Sequence, residues 1–253
     1  MCFAFDAHPP DIPADLKPIA GGAGAELLEL ESADGTHFSA ALAESPEPQG
    51  RAVVILPDIR GLYPFYSELA ERFASAGHHA IAIDYFGRTA GLGPRGEDFD
   101  YWPHVQKTRP RTVQADIAAA IAALRERTGE QRVSTVGFCF GGTQSCLAAT
   151  NAELGLEGVV SFYGGMNPER WGDSSPIHRA REMQGPVLGL YGGADESIPP
   201  EHIEAFERGL SEAGVKYEIV TYPGAPHSFF DRRYEEHADA SADAWRRVLT
   251  FLA

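Results

Sequence analysis

Apolar residues along this chain fall into two rhythms. Short runs, RAVVILPD (51–58), HHAIAIDYF (78–86), RVSTVGFC (132–139), LEGVVSFYGG (156–165) and GPVLGLYGGAD (185–195), are nearly continuous in apolar character, as strands buried on both faces must be. KYEIVTYP (216–223) alternates like a half-covered strand, and ELLELESADGTHFSAALAE (26–44) has two apolar stretches around Asp34-Gly35, a hairpin signal. Between them the period lengthens. FYSELAERFASAG (65–77) sets Leu69 and Phe73 four apart and closes on Gly77. Val113, Ile117, Ile121 and Leu124 share one face of a helix that Thr112 can cap. Further helices are expected from Phe140 to about Ala152, over 201–214 and over 238–253. Residues 87–111 show no period, and loops of that length are often lids or binding loops.

This alternation predicts an α/β fold, with a mostly parallel central sheet covered by helices on both faces. Residues 1–24, rich in Pro, Ala and Gly, read as an irregular leader, and 25–253 as a single domain. In such sheets ligands gather beyond the carboxyl ends of the strands. Functional side chains are expected there.

One strand end carries a special spacing. In Val136-Gly137-Phe138-Cys139-Phe140-Gly141-Gly142, glycines stand two residues before and two after a cysteine. That is the G-x-S-x-G spacing of the nucleophile elbow of α/β-hydrolases, with cysteine in the serine's place. The elbow is a sharp strand-to-helix turn, and small flanking residues let strand and helix approach without Cβ clashes. The alternative is a buried cysteine of no chemical importance, since free Cys is among the most buried residue types.

A cysteine nucleophile needs a base, and the base needs an orienting acid. In this fold the acid comes second in the chain and the histidine third. Asp195, in Tyr191-Gly192-Gly193-Ala194-Asp195, follows an apolar strand, and His227, in Pro223-Gly224-Ala225-Pro226-His227, follows the next. Either residue alone has a bland explanation as a turn or cap group. Together, in the required order after a cysteine elbow, they make a triad of Cys139, Asp195 and His227 the reading of choice.

Charge and composition narrow the partners. A formal charge of −15 over 253 residues argues against nucleic acid or an anionic membrane as a partner. No stretch approaches the ~20 apolar residues of a membrane span, and no secretory signal opens the chain. Three cysteines (Cys2, Cys139, Cys146) do not make a disulfide framework. A cytoplasmic location is expected, with the oligomeric state left open. The histidines lack metal-ligand spacing, so no metal and no cofactor are expected. Gly91-Leu92-Gly93-Pro94-Arg95-Gly96 satisfies G-x-G-x-x-G, but no helix opens from it and it reads as a flexible loop. Lys107, Arg109 and Arg111 read as a solvated basic face, and Cys146 as a core residue.

In its motifs GFCFGG, YGGADESIP and PGAPHSF the chain, from about residue 26 onward, resembles the dienelactone hydrolases (carboxymethylenebutenolidases). The resemblance implies an α/β-hydrolase fold and a Cys–Asp–His triad, which falls on the residues already chosen. It also aligns Asp58 with an acid that contacts the family's cysteine, although the family usually has Glu there and an aromatic residue where Arg60 stands. The N–H groups of Ile59 and Phe140 match the usual oxyanion-hole positions. Family arginines hold a substrate carboxylate: Arg88 matches one, and the other position is Asp231 here, with Arg232 or Arg233 as neighbours that could substitute.

The expected activity is therefore hydrolysis of an ester or lactone bond in a small, carboxylate-bearing substrate through a thioester. A broad esterase or thioesterase on neutral substrates is a second reading. A non-catalytic binding module and a redox-sensing thiol are others, and an intact triad counts against the former.

Overall fold

A computed structural model describes residues 7–16, 24–93, 95–231 and 233–253. Its centre is an eight-stranded sheet in the order β1-β2-β4-β3-β5-β6-β7-β8. The strands are β1 (Glu26–Glu31), β2 (His37–Ala43), β3 (Ala52–Leu56), β4 (Ala80–Ile83), β5 (Val133–Phe138), β6 (Leu156–Phe162), β7 (Val187–Gly192) and β8 (Tyr217–Tyr222). The hairpin β1–β2 forms across Asp34-Gly35 and pairs antiparallel with β4; every later pairing is parallel. This is the α/β-hydrolase fold.

The helices are α1 (Pro64–Ser75), α2 (Gly87–Ala90), α3 (Trp102–Lys107), α4 (Pro110–Thr128), α5 (Phe140–Ala148), α6 (Pro168–Trp171), α7 (Pro176–Arg179), α8 (Pro200–Glu212) and α9 (Ala238–Leu252). Strand alternation divides the core between them. Val53, Ile55, Ala80 and Ala82 face one cluster with Phe65, Leu69 and Phe73 of α1 and Trp245 of α9. Val54, Leu56, Ile81 and Ile83 face another with Ile117, Ile121 and Leu124 of α4. Among the described residues no helix is long and apolar enough to cross a membrane.

Two expectations are corrected. Residues 87–111 are not a bare loop: α2 and α3 lie within them, and Arg95 reaches back to Asp84 at 2.7 Å while stacking over Phe99. α4 begins at Pro110 rather than beyond Thr112, because proline fits the first helical turn, where no N–H partner is needed. The Thr112 hydroxyl bonds back to the Arg109 carbonyl.

The junction of β5 and α5 is the tightest in the molecule's centre. Cys139 sits there at φ 53 and ψ −113, a left-handed conformation that costs a non-glycine residue on the order of 1–3 kcal/mol. A Cβ at Gly137 would strike the backbone of Gly141, and one at Gly141 would strike the Leu56 and Pro57 carbonyls. Both obstacles are backbone and cannot rotate away. Gly137→Ala is expected to destabilise the fold by about 3 kcal/mol, as overpacking does. Urea unfolding should therefore give a lower midpoint; an unchanged midpoint would mean the junction can spread.

Candidate active site

Three strand ends deliver the candidate triad. Cys139 is held at the end of β5 by its N–H on the Phe162 carbonyl (3.0 Å), while its own carbonyl accepts the Thr143 N–H at 3.2 Å, which opens α5. The loops after β7 and β8 are stitched together: Gly193 N–H donates to the Tyr222 carbonyl at 2.8 Å and Ala194 N–H to the Ala225 carbonyl at 2.9 Å. That stitching brings Asp195 and His227 into contact, with His227 Nδ1 2.6 Å from Asp195 Oδ2. The imidazole is also hydrogen-bonded to the Cys139 side chain. Sequence reasoning chose these three residues, and the fold brings them together.

Other groups in the site had weaker sequence signals. Ser197 N–H and Oγ–H donate to Asp195 Oδ1 at 2.9 and 2.6 Å, leaving Oδ2 for the histidine. The Asp-x-Ser spacing was visible, but its role was not. Tyr163, at φ 39 beyond β6, packs its ring 5.0 Å from the His227 ring and donates its hydroxyl to the buried Asp231 at 2.9 Å. Asp231, where the family places an arginine, is thus built into the wall of the site.

The remaining expectations fare differently. The Ile59 and Phe140 N–H groups have no acceptor among the described residues. Asp58 is committed to its neighbour: its carboxylate accepts the Arg60 N–H at 2.9 Å and pairs with the Arg60 guanidinium at 3.2 Å, which itself lies 4.1 Å from the Tyr63 ring. Arg88 is corrected. Its Nε and Nη2 bond Asp116 (3.4 and 2.7 Å), Nη1 bonds Thr36 and Asp34, and Nη2 also reaches the Thr112 carbonyl at 3.5 Å. All five guanidinium donors are occupied, so the side chain ties the β1–β2 hairpin to α4 and has none left for a substrate. Arg233 pairs with Glu236, and Arg232 lies outside the described residues.

Beside Phe140 opens a cleft of about 390 Å³, lined among others by Trp102, Val105, Arg109, Trp171 and Ser174. Trp102 is 49% exposed, and the Trp171 ring lies 5.9 Å from that of Phe140. Arg109 has no carboxylate partner among the described residues; its Nη1 donates to the Gln106 and Thr108 carbonyls. No group of three His, Cys, Asp or Glu among the described residues is placed to hold a metal ion.

The second cysteine is chemically quiet. Burial pushes the Cys146 thiol up to about 12, so thiolate is scarce at neutral pH.

A family model of the dienelactone hydrolase family matches residues 38–253. The chain belongs to that family and is a hydrolase. A Yersinia pestis protein provisionally named carboxymethylenebutenolidase is 33% identical over 212 residues, covering 79% of this chain and 76% of its own. A similarly named Escherichia coli K12 protein is also 33% identical over 211 residues, with 79% and 75% covered. The crystal structure of a provisionally named dienelactone hydrolase from Klebsiella pneumoniae superposes with TM-score 0.77 at 28% identity, covering 89% of this chain and 98% of that one.

Electrostatics of the His–Asp pair set a pH dependence. Burial would lower the His227 pKa, but the Asp195 carboxylate and the Cys139 sulfur outweigh it and raise it from 6.5 to about 10. Burial works against Asp195 too, yet the His227 and Ser197 bonds hold its carboxyl below the ordinary 3.8. Folded His227 keeps its proton where unfolded His227 has lost it. Its contribution is therefore full below pH 6.5 and disappears as pH rises through about 10; the Asp195 contribution holds above 3.8 and is lost as pH falls below it. The stability difference between the protein and His227→Gln should shrink steadily from pH 6.5 to 10. Urea titrations across that range check it, and a difference that grows with pH would contradict the raised pKa.

Proposed function

We propose that this hydrolase cleaves an ester or lactone bond of a small substrate by way of a Cys139 thioester. One observation carries the reading: a strained cysteine at the start of a helix, hydrogen-bonded to a histidine that an aspartate holds from its other side. In the first step the Cys139 sulfur, its proton already held on His227, attacks the carbonyl carbon. The oxyanion so formed receives the N–H groups of Ile59 and Phe140. Collapse breaks the carbon–oxygen bond, and the leaving oxygen takes the proton from His227. Water then loses a proton to His227 and attacks the thioester; the sulfur leaves and the product is a carboxylic acid. Asp195 orients the ring and stabilises its charged form throughout.

Cysteine suits this task because a thiolate attacks with little assistance, and in a lactone the leaving oxygen stays tethered nearby. A carboxylate on the substrate is supported by Arg109, a cation beside the aromatic cleft in a chain of charge −15. Neutral esters are the second reading, favoured by the apolar walls of Trp102, Val105 and Trp171.

The test is turnover of cis- and trans-dienelactone against p-nitrophenyl esters of graded length. Cys139→Ala should abolish hydrolysis and Cys146→Ala should change it little. His227→Ala should cost about 10²–10⁴-fold in rate, more than Asp195→Asn. Near-parental turnover in Cys139→Ala would remove the triad from the mechanism.

Charge selection separates the two arginines. Arg88→Ala strands the buried Asp116 and should cost on the order of 3 kcal/mol of stability, while leaving the preference for charged over neutral esters unchanged. Arg109→Ala should lower that preference about fivefold, the scale of a partly exposed ion pair worth about 1 kcal/mol. If neither variant alters the ratio of kcat/KM values, the neutral-ester reading stands.

A further inference from the structure

Tyr85 follows β4 and is 2% exposed. Its hydroxyl reaches two main-chain carbonyls, that of Pro57 and that of Asp58, the second at 3.0 Å. The Asp58 carbonyl and the Ile59 N–H are opposite ends of one planar peptide unit. Whatever fixes that carbonyl therefore fixes where the N–H points. The Gly61 N–H joins Tyr85 on the same oxygen at 3.2 Å, and the Asp58 N–H on the preceding peptide donates to the Tyr66 hydroxyl at 3.0 Å. The Tyr85 ring meets the other half of the same arrangement. It packs edge-to-face on Phe140, with centroids 5.3 Å apart and planes at 62°.

We infer that Tyr85 is a positioning residue for hydrolysis, its hydroxyl orienting the Ile59 amide and its ring the Phe140 turn, so that both N–H groups converge on one oxygen. The inference rests on the reading of Ile59 and Phe140 as oxyanion donors. Two physical effects follow from the bond to the Asp58 carbonyl. It restrains rotation of the peptide before substrate arrives, so little reorganisation remains at the transition state. It also polarises the amide, which strengthens the N–H as a donor to a modest extent. Burial, reinforced by Asp58, Asp84 and Cys139, keeps the phenol neutral, so the donated proton stays in place.

The Tyr85→Phe variant keeps the ring and removes only the hydroxyl. Its kcat on p-nitrophenyl acetate should fall about 5- to 20-fold, less than the 10²–10³-fold typical of deleting an oxyanion donor outright. KM should stay within about twofold and the pH profile should keep its shape, because Tyr85 moves no proton. Inhibition by a trifluoromethyl ketone, whose carbonyl carbon adds the Cys139 sulfur and leaves its oxygen in the hole, should weaken by the same factor as kcat. Inhibition by the product acetate should not change. A group that served only to hold the fold would lower thermal stability without linking ketone affinity to kcat. Unchanged kcat, a loss confined to KM, or equal weakening of ketone and acetate would overturn the role. Cys139→Ala is measured alongside. If it still turns over, the oxyanion reading falls and this inference with it; if it is inert while Tyr85→Phe is normal, only the role of Tyr85 falls.

Discussion

The site depends on a single backbone constraint: a cysteine held in left-handed conformation where β5 becomes α5. That turn points the thiol away from the strand, toward the ends of β7 and β8, and leaves the first N–H groups of α5 without intrahelical acceptors. It is tolerable only because Gly137, Gly141 and Gly142 let the helix lie almost against β3, β5 and the turn after β6. The strain on one residue is offset by packing around many. Phe138 illustrates this: its ring stacks on Phe162 at 4.7 Å and on Phe230 at 5.9 Å, so the strand end has little room to relax.

The parts legible in the sequence were those dominated by burial or by backbone sterics. β3, β5 and β7 are covered on both faces, so their apolar runs have few other interpretations. The glycines around Cys139 betrayed a close approach, and the order of acid and histidine followed from the fold. What escaped was set by long-range polar contacts. Arg88 stands where a substrate arginine would, yet its partners lie 54 and 28 residues away at Asp34 and Asp116, a fact no local pattern carries. α3 escaped because Val105 is its one buried residue among those described, too little to set up a period. Tyr85 carries no local signal either, because the carbonyls its hydroxyl meets, those of Pro57 and Asp58, belong to the loop after β3.

Buried arginine–aspartate pairs recur behind the site: Arg60 with Asp58, Arg88 with Asp116 and Arg95 with Asp84. Each draws on the loops after β3 or β4 or on the helix that follows them. Such pairs are a poor source of net stability, since desolvation cancels much of the attraction. Their geometric effect is another matter. A fork-shaped guanidinium matched to a carboxylate fixes direction as well as distance. The loops after β3 and β4 are thereby fastened by charged side-chain pairs as well as by backbone and tyrosine hydrogen bonds.

The pair at Asp58 bears most directly on the chemistry. In the family this chain resembles, an acid at this place contacts the cysteine. Here the carboxylate is shorter, and it faces a guanidinium that also stacks on Tyr63. Two consequences follow from geometry. A carboxylate engaged with Arg60 is poorly placed to bond the Cys139 thiol, and the group that lies against Cys139 is His227. And by accepting the Arg60 N–H at 2.9 Å, the same carboxylate closes the tight turn that contains Ile59. The acid at this place is, in this chain, part of the frame that sets the turn carrying Ile59.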